Sequence, residues 1–179
     1  MFTVTTERPE DAAPIETLLD ACFGPNRFEK SSYRFRIDTA PDQRLCLVAR
    51  SADGAVVGTI RYWPLAVGMT AAPGLLLGPL AVAEAYRKAG VGGALMWASL
   101  DMAAWSGDRL VILVGDIAYY RRFGFRHADE WAMIMPHEAP HRVLARPLQT
   151  GLPAAYRGFI HPRRSVRSGI PDTLFAPAA

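Results

Sequence analysis

Three glycines crowded into the start of one helix constrain this chain more than any other feature. Leu75-Leu76-Leu77-Gly78-Pro79-Leu80-Ala81-Val82 reads as a buried strand, and Ala94 to Trp105 carries an apolar helical pattern. Arg87-Lys88-Ala89-Gly90-Val91-Gly92-Gly93 joins them. Glycine costs about 1 kcal/mol per residue relative to alanine inside a helix, so Gly90, Gly92 and Gly93 need a reason beyond propensity. A close helix-strand contact needing small residues is one reason. Close approach of a ligand is the other: without side chains, these positions would let a phosphate touch backbone N–H groups that have no partner within the helix, at the positive end of its dipole. Arg87 and Lys88 add charge at the same place.

The residues absent from the turn narrow the ligand. A Walker loop needs G-x-x-x-x-G-K-[ST], and no Lys-Ser or Lys-Thr follows these glycines. A dinucleotide fingerprint needs G-x-G-x-x-G, but Gly90-Val91-Gly92 is followed by Gly93-Ala94-Leu95, without the third glycine, which weakens an NAD-binding reading. The arrangement instead resembles the Arg/Gln-x-x-Gly-x-Gly/Ala signature of the GNAT superfamily of acyl-CoA-dependent N-acyltransferases, with Arg87, Gly90 and Gly92 at its defining positions.

A second segment follows at the spacing this resemblance requires. Leu110 to Val114 is a continuous apolar run rich in β-branched residues, as expected of a strand covered on both faces. Asp116 is placed to cap a short helix, Ile117 to Phe123, which Gly124 ends by supplying a left-handed residue. Tyr119-Tyr120-Arg121-Arg122-Phe123-Gly124-Phe125 looks like the Tyr-x-x-x-Gly-Phe signature with which the superfamily closes its cofactor site. Gly115-Asp116-x-Ala118-Tyr119-Tyr120, the opening Arg8-Pro9-Glu10-Asp11 with Cys22-Phe23-Gly24, and the segment from Leu148 to Pro162 look like the YhbS-like branch, whose members are mostly predicted acetyltransferases.

The resemblance implies an α/β (α+β) fold: a mixed, mostly antiparallel sheet with a splayed parallel strand pair, flanked by helices. It implies an N-acetyltransferase domain at 1–141, with 142–179 an extension packed on or trailing from it. Acetyl-CoA is the implied cosubstrate, and a primary amine of a small molecule or peptide attacks it directly in a ternary complex. Carried over residue by residue, the backbone of Leu80, Ala81 and Val82 holds pantetheine and the acyl group, with the Val82 N–H as oxyanion donor. Arg87, Lys88, Ala89, Gly90, Val91, Gly92 and Gly93 hold the pyrophosphate. Tyr120 lies where the superfamily often places a tyrosine whose hydroxyl reaches the CoA sulfur, and a phenol with a pKa of about 10 can protonate a departing thiolate. Tyr119, beside it on the helix, is expected to pack, and Asp116 to cap. Homodimers are common among such proteins.

The general base departs from the pattern. Where many relatives read Val-x-Pro-Glu-Tyr-Arg, this chain reads Val82-Ala83-Glu84-Ala85-Tyr86-Arg87, so Glu84 does not match the acidic position. His127, His137 and His141 are near in sequence, and loss of a proton to water is the other route. The departure keeps a second function open: an acyl-CoA sensor that binds without turnover.

Composition sets outer bounds. A chain of 179 residues, 50% hydrophobic, fills one core and is short for two. Cys22 and Cys46 lack zinc-ligand spacing and are expected to be small buried residues, so no metal is expected. No basic-then-apolar leader opens the chain and no apolar run approaches the roughly 18 residues needed to span a bilayer, which points to the cytoplasm and away from a membrane. The net charge of +3 is nearly all arginine and suits CoA phosphates, an acidic acceptor or nucleic acid alike. The cluster Arg157, Arg163, Arg164 and Arg167 lacks the interleaved aromatics of a single-strand platform, which argues against nucleic acid.

Elsewhere the pattern predicts a strand at Phe2 to Thr5 and a helix at Ala12 to Ala21 with an apolar stripe of Ile15, Leu18, Leu19 and Phe23. A second helical piece is expected at Phe28 to Ile37. Leu45 to Arg50 and Ala55 to Tyr62 flank Asp53-Gly54, a strong hairpin signal, and with the strand ending at Val82 they form a meander. Trp131 to Pro136 is expected as a strand with Leu144 to Leu148 beside it. Prolines at 153, 162, 171 and 177 break the remainder, and 163–179 is either a wrap over the core or a loose end.

Overall fold

The hairpin predicted at Asp53-Gly54 forms the start of the sheet: Gly54 takes φ +88°, and the Ser51 amide bonds the Ala55 carbonyl at 3.0 Å. In the computed structural model, which describes residues 1–163, this turn joins β2 (Leu47–Ser51) to β3 (Val56–Val67). β1 (Phe2–Thr6) pairs with β2, and β4 (Ala72–Val82) pairs with β3, all antiparallel. β5 (Leu110–Val114) then adds to β4 in parallel. β8 (Val143–Pro147) lies antiparallel against β5 and carries β6 (Arg126–His127) on its other edge. The order β1-β2-β3-β4-β5-β8-β6 is a mostly antiparallel mixed sheet with one parallel pair.

Helices α1 (Ala12–Phe23) and α2 (Val91–Trp105) cover opposite faces, as the period of two in β2 requires. Val48 faces Ile15, Leu18 and Leu19 of α1, whereas Leu47 and Ala49 pack in the cluster that holds Leu95, Met96 and Leu100 of α2. Leu110 to Leu113 are each at most 1% exposed, so β5 is covered on both faces. Tyr62 is buried under α2, and its hydroxyl is 2.9 Å from the Ser99 hydroxyl, which keeps both polar atoms paired in the apolar core.

The feature that shapes the site lies within β4. Ile60 opposes Leu80 but Tyr62 opposes Leu77, so Gly78 and Pro79 together stand against Arg61 in a bulge. Gly78 takes φ +133°, a conformation side chains oppose. Pro79 has no N–H to offer a neighbour. Parallel pairing with β5 is confined to Leu75 with Val111 and Leu76 with Ile112, and β4 runs on through Leu77 to Val82 without β5 beside it.

Several expectations are corrected. Phe28 to Ile37 is not one helix but parts of two 3-10 segments, Pro25–Glu29 and Ser31–Arg36, broken at Lys30 by extended backbone. Only Met133–Ile134 of the run from Trp131 to Pro136 is a strand, β7, because Ala128–Trp131 coils into a 3-10 turn ended by Ala132 at φ +54°. β8 does not lie beside β7; it pairs with β5 and β6, while β7 pairs with β9 (Gly158–Pro162), a strand hidden among the prolines. Phe23 leaves the stripe of α1 and is 37% exposed. β8 begins just past residue 141 and is an interior strand of the sheet. The expected wrap or loose end at 163–179, with Arg164 and Arg167, falls outside the described residues except for Arg163.

Gly58 of β3 sits beneath the first turns of α2, where an added Cβ would come to 2.8 Å from Val91 Cγ1 and 3.0 Å from Leu95 Cδ1. Gly58→Val overpacks this contact, and denaturant unfolding is expected to show a loss of about 2 kcal/mol.

Candidate active site

The unpaired part of β4 forms one wall of a cleft of about 820 Å³. The Ala83 amide bonds the Val57 carbonyl at 2.9 Å, so by antiparallel alternation the next pair, Val82 with Gly58, exchanges no hydrogen bonds. The amide and carbonyl of Val82 therefore point away from β3 into the gap left by β5. The Cys22 thiol, 3.5 Å from the Val82 carbonyl oxygen, reaches the strand from that side. Leu80 occupies the equivalent position opposite Ile60. Their side chains and Ala81 pack into the core, leaving backbone to the cleft.

The glycine turn closes one end. Gly90 takes φ +84°, a left-handed N-cap that favours glycine, and the first hydrogen bond of α2 runs from the Ala94 amide to the Gly90 carbonyl at 3.0 Å. The amides of Val91, Gly92 and Gly93 thus have no partner within the helix. A Cβ at Gly92 would meet the Tyr119 hydroxyl at 2.8 Å, whereas one at Gly93 would meet nothing within 4 Å. No neighbouring atom requires glycine at 93; its missing side chain leaves the cleft open above the amides.

The opposite wall comes from α3 (Ile117–Tyr120) and the 3-10 turn Arg121–Phe123, ended by Gly124 at φ +80°. Asp116 caps as predicted, its Oδ1 accepting from the Ala118 amide at 2.9 Å. Tyr120 lines the cleft, with its ring edge-on to Tyr119 and Phe125. Burial first, and the neighbouring Tyr119 second, push its hydroxyl up to about 12, so it holds its proton throughout the neutral range.

Of the residues singled out by sequence, Leu80, Ala81, Val82, Arg87, Lys88, Gly90, Gly92, Gly93 and Tyr120 line this cleft. Ala89 and Val91 do not: the Val91 side chain is fully buried beneath α2, and the Ala89 amide is bound to the Tyr86 carbonyl at 3.1 Å. Tyr119 is corrected from a packing residue to a cleft residue whose hydroxyl is aimed at Gly92, with the Arg122 guanidinium 4.2 Å above its ring. Cys22, expected to be buried, is only half-buried and lines the cleft, as do Phe23, Trp97, Arg122 and Phe123. Among the described lining residues there are three cations, Arg87, Lys88 and Arg122, and neither a carboxylate nor a histidine. Glu84 lies exposed in a 3-10 turn outside it.

Residues 12–125 match the Acetyltransferase (GNAT) family. This chain belongs to the GNAT family. As a member it is an acyl-CoA-dependent N-acyltransferase by class. The N-acetyltransferase YhbS of Escherichia coli K12 is 34% identical over 125 residues, which cover 70% of this chain and 74% of YhbS. A crystal structure of E. coli YhbS in complex with CoA matches with a TM-score of 0.76 at 27% identity, covering 90% of this chain and 89% of that one. A GNAT acetyltransferase from Brucella melitensis in complex with acetyl-CoA matches with a TM-score of 0.67 at 27% identity, covering 91% and 96%. The match to YhbS agrees with the branch suggested by Gly115 to Tyr120, by Arg8 to Asp11 with Cys22 to Gly24, and by the segment from Leu148 to Pro162.

Burial of Tyr120 generates an alkaline signature. At neutral pH the phenol is protonated in both folded and unfolded chains and contributes no pH dependence. Above pH ~10 the unfolded chain releases this proton, while the folded protein retains it until about 12, so the folded state binds more protons and stability falls as pH rises through that window. Tyr120→Phe is expected to make the fall shallower, read as thermal midpoints between pH 9 and pH 11, conditions chosen to bracket its onset (about pH 10).

Proposed function

We propose that this protein transfers an acetyl group from acetyl-CoA to a primary amine by direct attack in a ternary complex. The observation that carries this reading is the continuity of one binding surface. Unpaired β4 backbone from Leu77 to Val82 leads into the free amides of Val91, Gly92 and Gly93, with the Tyr120 hydroxyl across the gap. An extended pantetheine arm can bind the strand edge as another strand would, and a pyrophosphate suits amides at a helix N-terminus flanked by Arg87, Lys88 and Arg122. Acetyl-CoA supplies the activated acyl carbon. The Val82 N–H donates to the carbonyl oxygen as negative charge develops on it. Tyr120 donates the proton that the departing sulfur needs. Its raised pKa does not defeat that role, because a thiolate formed in the same buried surroundings is a stronger base than one in water.

The N-acetyltransferase domain is proposed at 1–141, with 142–179 an extension of the same domain that contributes β8 to its sheet, and the protein is assigned to the cytoplasm. Among the described residues no helix is long and apolar enough to cross a membrane. The absence of an acid or histidine from the described cleft residues favours one alternative, a sensor that binds acyl-CoA without turnover. Release of free thiol in the presence of amines separates the two.

Calorimetry with acetyl-CoA tests the site. Gly92→Glu places a carboxylate among the phosphate-facing amides and its Cβ against the Tyr119 hydroxyl; a folded mutant is expected to show no measurable binding. Unchanged affinity would remove the glycine turn from the site.

Tyr120→Phe retains the ring and removes the proton donor. The expected result is a fall in kcat of roughly 10²-fold or more with little change in acetyl-CoA affinity. Tyr119→Phe gives the contrasting pattern, since the lost hydroxyl faces Gly92: cofactor affinity weakens and kcat is spared.

A further inference from the structure

A second cavity of about 130 Å³ opens off the cleft, and Phe23, Leu80 and Tyr120 line both. It shares Tyr120 with the cleft but is lined by none of the glycine-turn residues. Its remaining wall includes Arg27, Lys30 and Arg36 together with Ser32 and Tyr33, and among the described residues no carboxylate.

These cations differ in what balances them. Arg27 is held by α1: its Nε donates to Asp20 at 2.7 Å, its other amino groups reach Glu16 and the Tyr33 hydroxyl, and its pKa is driven upward by those partners. Lys30 and Arg36 form no ion pair among the described residues. The Arg36 guanidinium stacks 4.1 Å over the Tyr33 ring, and its Nε is buried with no hydrogen-bond partner. Burial, above all, lowers Arg36 to about 10, and burial with Arg142 and Arg36 as neighbours lowers Lys30. A buried donor without a partner is costly, and the half-buried Arg36 guanidinium, whose Nε has none among the described residues, is suited to donate two parallel hydrogen bonds to an oxyanion in the cavity it lines.

Resting on the acyltransferase reading above, we propose that the acceptor is a small amine carrying its own anionic group, a carboxylate or phosphate, which Arg36 and Lys30 bind in this cavity. The anion offsets the two cations, and the amine of the same molecule is thereby held beside Tyr120 and Leu80. There its neutral nitrogen bonds to the acyl carbon, the C–S bond breaks, the sulfur leaves with the proton that Tyr120 donates, and the proton the nitrogen loses returns to Tyr120 through water, so that one proton passes from nitrogen to sulfur overall. A polyamine brings more positive charge to a wall that already has too much, and is disfavoured. With a carboxylate, one of the two cations stays uncompensated and lowers the pKa of the bound ammonium, which eases its deprotonation in a site whose described residues offer no base.

Thiol release from acetyl-CoA with matched amines tests this: β-alanine against propylamine, O-phosphoethanolamine against ethanolamine, and spermidine as the cationic arm. The expected kcat/KM of at least one anionic amine exceeds that of its neutral partner by roughly tenfold or more, with spermidine poorest. The pair showing the larger ratio identifies carboxylate or phosphate. Arg36→Gln is expected to erase that ratio, chiefly through KM, while acetyl-CoA affinity is unchanged; Lys30→Gln reduces it and carries the test if melting shows the Arg36 variant unfolded. Equal use of neutral partners, preference for spermidine, or a ratio that survives both variants overturns the proposal. If no amine is turned over, calorimetric titration of β-alanine and O-phosphoethanolamine into the CoA-saturated protein decides. Binding abolished by Arg36→Gln retains the anion site while the transferase reading falls, and absence of binding removes both.

Discussion

Beyond Leu76, no strand among the described residues pairs with β4 on its β5 side, and the site depends on that loss of pairing. A strand edge left open inside a sheet is ordinarily a liability, because its N–H and C=O groups need partners. Here the bulge at Gly78-Pro79 turns β4 away from β5, and Pro79 removes one donor from the exposed edge. β5 then takes β8 on its other side over Leu110–Val114. The gap is thereby fixed by paired strands on both flanks, and the backbone at Leu80 and Val82 is rigid while unsatisfied, the condition under which it can serve a ligand.

The helix above the gap repeats this arrangement. α2 is anchored by Val91, Leu95 and Met96, each fully buried, against a β3 that has glycine at 58 to admit them. Firm packing at Val91 holds the free amides of the turn in place. Gly90 permits the left-handed entry, Gly92 makes room for the Tyr119 hydroxyl, and Gly93 leaves space that no protein atom fills. Three glycines thus have three separate reasons, of which ligand access accounts directly for the last.

Much of this was legible in sequence because the informative residues were local. The hairpin at Asp53-Gly54, the strand Leu110–Val114, the Asp116 cap and the left-handed Gly124 each follow from a few adjacent side chains. The failures were of long-range origin. β7 and β9 are each too short or too rich in proline to show a period, and they exist because they pair with each other and β9 also pairs with β3. Tyr119 was placed by helical rotation alone, but α3 has only four residues before tightening into a 3-10 turn, so the adjacent tyrosines both face the cleft. Cys22 and Phe23 stand at the C-terminal end of α1, where the stripe that buries Ile15 and Leu19 runs out and the helix overhangs the gap. Arg36 gave no signal in sequence, since one arginine among eighteen is conspicuous only when its partners are known.

The absence of a general base from the described cleft residues and the unpaired Lys30 and Arg36 beside it are two aspects of one electrostatic arrangement. A carboxylate at the acyl-transfer point would abstract the amine proton, but it would also pair with Arg36 or Lys30 and occupy the place of an incoming anion. Described residues around both cavities are free of carboxylates, so the charge there remains positive. In such a field an ammonium is the disfavoured protonation state and the neutral amine, which is the nucleophile, is the favoured one. A site of this charge suits the proposed transfer, which would then need less help from a base and would favour amines that carry an anionic group.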